Sequence, residues 1–119
     1  MRFALLLFLV RPLAGCVPPP AQAGASPHAE RITAAQQVYE ARLAAHAAGM
    51  ATLDDVCAWS VRWHQAQKEA GDAEAGTSHL ARMTALAGSV EAAVASGAAP
   101  ASDARAMAYY VAEAKVWAR

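Results

Sequence analysis

The stretches "AAHAAGMATLDDVCAWSVRWHQA" (44–66) and "AAVASGAAPASDARAMAYYVAEA" (92–114) align when the chain is shifted by 48 residues. Identities fall at Ala44/Ala92, Ala45/Ala93, Ala47/Ala95, Gly49/Gly97, Ala51/Ala99, Asp55/Asp103, Ala58/Ala106 and Ala66/Ala114. Alanine pairs arise readily in an alanine-rich chain, so the weight rests on the Gly and Asp pairs, which keep the same spacing in both copies. Glycine stops a helix because it adopts the left-handed backbone that closes a C-terminus. A short oxygen side chain or an acid at the next helix start meets the unsatisfied N–H groups there. Each copy therefore reads as helix, Gly turn, capped helix.

Working outward, Gly49, Gly71 and Gly97 each follow an apolar-periodic segment, which predicts four helices at about 28–48, 53–70, 78–96 and 102–118. Apolar or small residues recur at helical spacing within them: Ile32, Ala35, Tyr39, Leu43, His46; Val56, Trp59, Trp63, Ala66, Ala70; Leu80, Met83, Ala87, Val90, Val94; Met107, Tyr110, Ala114, Trp117. No segment alternates in the manner of a strand. The expected fold is all-α, a small antiparallel helical bundle of two related α-hairpins spanning 28–119. Thr52, followed by Asp55, and Ser102, after Pro100, are the expected N-caps of the second and fourth helices.

A Gly turn, a polar cap, an Asp before an apolar residue and a later helical Ala resemble the periplasmic α-hairpin repeat of the TolC-like outer-membrane efflux family. Gly49, Thr52, Asp55, Val56 and Ala66 carry the likeness, and Gly97, Ser102, Asp103 and Ala114 carry it less closely. The resemblance covers only the hairpin portions and implies hairpin architecture in a cell-envelope setting. The helices are far too short for an export channel and no β-barrel segments accompany them, so export activity is not implied.

At the other end of the chain, Arg2, the apolar run "FALLLFLV" and "LAGC" (13–16) resemble a bacterial lipoprotein signal with its lipobox. Such an apolar run is too short to span a bilayer. The resemblance implies a signal peptide over 1–15, cleavage before Cys16 and acylation of Cys16, with Val17 rather than Asp next to it favouring the outer membrane. A lipidated Cys16 and a Pro/Ala-rich spacer would then occupy 16–27, the prolines favouring extended polyproline II. Arg11 and Pro12 interrupt the leader, and "AQA" (21–23) offers an ordinary cleavage site after Ala23 that would release a soluble periplasmic or secreted protein.

Ten Lys and Arg balance ten Asp and Glu, and loss of Arg2 and Arg11 with a leader leaves eight cations against ten anions. No basic patch points to nucleic acid. The 56% hydrophobic content overstates the core, because much of it is alanine, which favours helix but buries little area. Closely approaching helices with a shallow core are expected, and a protein partner or self-association would complete them.

Folding the first hairpin about Gly49 brings His46 towards Asp54 or Asp55 and Tyr39 towards Trp63. Folding the second about Gly97 brings Val90 towards Met107 and Leu80 towards Trp117. If the hairpins stack, Tyr39, Trp63, Tyr110 and Trp117 share one core end or line a ligand pocket. His28, His46, His64 and His79 form none of the established metal or haem patterns. The pairs Cys57/His64, two turns apart on one helix face, and His46/Asp55, across a turn, each offer two ligands, fewer than a site needs. Cys57, between Val56 and Ala58, reads first as a small buried hydrophobe. Arg62 beside Trp59 and Trp63 suggests a cation–π contact.

No G-x-S-x-G, phosphate loop or buried acid pair names a reaction, and no cofactor is expected. Two function classes follow. The first is an envelope lipoprotein, held to a membrane by its lipid, acting as a non-enzymatic structural or protein-interaction module. The alternative is an exported helical binding or sensor module for a metal ion or small apolar ligand, using His46, Cys57, His64, Trp59 and Trp63.

Overall fold

The computed structural model describes residues 25–119. The expected signal peptide, Cys16, the alternative cleavage site after Ala23 and nearly all of the expected spacer lie outside the described residues. Among the described residues there are four helices and no strand: α1 (Pro27–Ala47), α2 (Leu53–Glu69), α3 (Ala75–Ala95) and α4 (Ala101–Trp117).

The shift that aligns the sequences also aligns the structure. α1 and α3 each have 21 residues, α2 and α4 each have 17, and every helix boundary of the second hairpin lies 48 residues after its counterpart. Gly49 at φ 75° and Gly97 at φ 77° close α1 and α3 in the left-handed region. The Gly49 N–H donates to His46 O at 3.0 Å and the Met50 N–H to Ala45 O at 2.8 Å. The same two bonds recur from Gly97 to Val94 O at 3.1 Å and from Ala98 to Ala93 O at 2.8 Å, the double bond of a Schellman end.

Local chemistry sets the helix starts. The Ser26 hydroxyl accepts from Ala29 N–H at 3.2 Å and Pro27 occupies the first helical position, so α1 begins one residue before 28. Thr52 caps α2 as expected, its Oγ1 accepting from Asp55 N–H at 3.2 Å. Ser102 does not cap α4: extended Pro100 stands at the N-cap without a side-chain bond, and Ser102 is already helical. α3 starts at Ala75 rather than 78. There the Asp72 carboxylate accepts from Glu74 N–H at 2.9 Å and from Gln67 Nε2 at 3.1 Å, folding the connection tightly and bringing Gly76 into the first turn.

The helices pack as α1 on α2, α2 on α3 and α3 on α4. Consequently the central pair carries the core. α2 buries Leu53, Val56, Cys57, Ser60, His64, Ala66 and Gln67, and α3 buries Ala75, His79, Met83, Leu86 and Val90. Outer helices bury far less, Ala35 and Tyr39 from α1 and Met107 and Ala114 from α4. Val90 and Met107, placed near each other by the second hairpin's folding, both belong to that core cluster. Each large side chain removed from water contributes roughly 1.5–3 kcal/mol, so Tyr39, Leu53, Val56, Met83, Leu86, Val90 and Met107 supply most of the core, and Ala35, Ala66, Ala75 and Ala114 fill the close approaches.

Candidate functional site

Tyr39 of α1 and Trp63 of α2 meet with ring centroids 5.6 Å apart, as the first hairpin's folding requires. Trp59 is half-buried and carries Arg62 over its ring at 4.5 Å, the cation–π contact expected from the sequence. Tyr110 does not join the aromatic end: its hydroxyl donates to Asp54 at 3.3 Å, near the start of α2 and away from Trp63. Trp117 stacks on His64 with centroids 4.9 Å apart and planes within 3°, and lies 5.3 Å from the His79 ring, the residue before Leu80. The expected four-ring cluster is therefore two groups, because Tyr110 and Trp117 stand about two turns apart along α4 and reach Asp54 and His64 at different points of α2.

The metal-ligand pairs meet different fates. The Nδ1 of His46 lies 3.0 Å from Ala51 O, so His46 closes its own turn, while Asp55 pairs with Arg42 at 3.3 Å. Cys57 is sealed in the core with its Sγ 3.8 Å from the Met107 sulfur. Burial, with a smaller contribution from the Asp54 charge, pushes its thiol up to about 12 and keeps it protonated at neutral pH. His64 is buried against Trp117 and His79. Among the described residues no three His, Cys, Asp or Glu side chains gather as a ligand set.

Between α2 and α3 lies a polar cluster that sequence reasoning missed. Ser60 Oγ is 2.9 Å from His79 Nδ1, and Arg82 donates through Nε to Ser60 Oγ at 2.8 Å and through Nη2 to Ser60 O at 3.2 Å. Its guanidinium also lies 3.9 Å above the Trp63 ring and 5.7 Å from the Tyr39 ring. His79 and Arg82 are one helical turn apart on α3, so they project on one face and share a partner, a spacing too common to single out in sequence. Burial first, then the charges of Arg82 and His64, lowers His79 to about 4 and keeps its ring neutral. Burial lowers Arg82 to about 10, still cationic at neutral pH.

A Ser beside a His invites a nucleophile, but Ser60 and His79 are both fully buried and the Ser60 oxygen already accepts from Arg82. No substrate atom can approach that oxygen in this conformation. The cluster's open side is Arg82, which is half-buried and borders a groove of about 610 Å³ between α1 and α3. Tyr39, Leu43, His46 and Ala47 form one wall, Leu86, Val90 and Ala93 the other, and Asp103 in the first turn of α4 also borders it. Compared with known protein families, curated proteins and solved structures, the chain matches none.

Proposed function

We propose that the protein is an envelope lipoprotein, acylated on Cys16 and facing the periplasm from the outer membrane, whose two hairpins serve as a non-enzymatic protein-interaction module. The exposure of α4 carries the reading. Tyr109 and Val116 are 62% and 61% exposed, against only two buried residues in the whole helix. Large apolar side chains left in water along one helix are the surface that a protein partner covers. The leader's order of charge, apolar run and Cys supports the compartment, and the hairpin likeness supports the setting.

Expression of the full chain in a Gram-negative host, with a photo-crosslinking residue in place of Tyr109 or Val116, tests both halves. A mature chain beginning at an acylated Cys16, held in membranes until Cys16→Ser, together with one recurrent heterologous adduct, is the expected result. A homodimeric adduct would replace the partner by a second copy. An uncrosslinked monomer at both positions would remove the interaction role.

A further inference from the structure

The only ion pairs among the described residues, Arg31 with Glu69 and Arg42 with Asp55, lie on exposed faces. Arg82 has no carboxylate partner among them. Its Nε and Nη2 are fixed on Ser60 and its plane is held against Trp63, leaving three of its five N–H donors uncommitted at the groove. A half-buried guanidinium without a counter-charge costs desolvation that an anion would offset, and its fork matches a carboxylate through two parallel bonds. Ordering it in advance also lowers the entropic cost of binding.

From Arg82 the groove runs along α3 past Leu86 and Val90 to Ala93, roughly 16 Å of helix. Its walls are mostly aliphatic, with Tyr39, His46 and Ser89 also bordering it, its volume falls within the range of small-ligand sites, and its far end carries the acidic Asp103. Arg82 at one end, a largely apolar channel and an acid at the other select a single negative charge with an apolar tail; His46, which also borders the groove, is engaged through its Nδ1 with Ala51 O at 3.0 Å. We propose that this groove binds a free medium-chain carboxylic acid, its carboxylate on Arg82 and its chain along Leu86, Val90 and Ala93. Phosphate dianions would meet too little positive charge, and a diacid would place its second carboxylate beside Asp103. This site is independent of the exposed α4 face, so its loss would leave the partner reading intact.

The probe is a diazirine-bearing dodecanoic acid added to membranes containing the full chain, with the labelled residues read by peptide mass spectrometry. Label on groove residues is expected, displaced by dodecanoate at concentrations at least about tenfold lower than by dodecanol. Arg82→Gln should cut labelling about tenfold or more. Because Arg82 also ties α2 to α3, Ser89→Trp supplies a second variant: Ser89 is exposed at the groove and outside the Arg82 contacts, so its indole should block labelling while helicity is retained. Equal displacement by the acid and the alcohol would overturn the proposal. So would label scattered over exposed faces, or unchanged labelling in a folded Ser89→Trp protein.

Discussion

Ser60 on α2 and His79 on α3 lie 2.9 Å apart, Oγ to Nδ1, and both are fully removed from solvent. Whichever ring nitrogen carries the proton, His79 Nε2 has no protein partner. The site thus accommodates a neutral imidazole, and a second positive charge there would face Arg82 and His64.

That arrangement makes the fold acid-sensitive. His79 is lowered to about 4 from an ordinary value of 6.5, so between those values the unfolded chain takes up a proton that the folded chain refuses. The contribution is complete above about pH 6.5 and is lost as pH falls towards 4, on the order of 3 kcal/mol. Urea midpoints should therefore drop across that window. His79→Gln, which carries no such titration, should flatten the drop even if it lowers stability throughout. An equally steep acid limb in His79→Gln would assign the sensitivity to other groups.

Gly76 and Gly88, both in α3, should respond in opposite directions to alanine. A Cβ at Gly76 would collide with the Trp117 carbonyl, backbone against backbone, whereas one at Gly88 meets open space. Gly76→Ala must push the start of α3 from the end of α4 and should cost about 1–3 kcal/mol. Gly88→Ala gains the helix propensity difference, up to about 1 kcal/mol. Chemical denaturation of the two variants checks the pair, and equal effects would mean that the α3–α4 approach is loose.

Gly76 also shows where the sequence stops being legible. The glycines at 49, 71 and 97 end helices by a local rule, and their helix ends fall within one residue of expectation. Gly76 serves a contact with a residue far along the chain, so local reading places it in a loop and starts α3 too late. The hairpins and the Tyr39–Trp63 contact follow from antiparallel folding about a known turn. How the second hairpin lies on the first does not, which is why Tyr110 was expected beside Trp63 and the Ser60–His79–Arg82 cluster and its groove went unseen. Those contacts join α2 to α3 through a connection whose angle no periodicity encodes.

Cys57 should behave as an inert hydrophobe. With its thiol pushed up to about 12 and no solvent access, alkylation at neutral pH should be negligible in the folded chain and prompt in denaturant. Mass mapping of the Cys57 peptide after timed exposure to iodoacetamide measures this. Modification at the rate of an exposed thiol would show that the core opens easily between α2 and α4.

The capping correction gives a final contrast. Thr52 satisfies the Asp55 N–H through its hydroxyl, so Thr52→Ala leaves a donor at the start of α2 without its partner and should cost about 1 kcal/mol. Ser102, five residues after Gly97 where Thr52 is three after Gly49, lies inside the first turn of α4 and is exposed. Its removal should change stability by less than about 0.5 kcal/mol. Thermal or urea unfolding of the two single variants decides it. A cost at Ser102 matching that at Thr52 would mean that α4 begins two residues later in solution, with Ser102 restored as its cap.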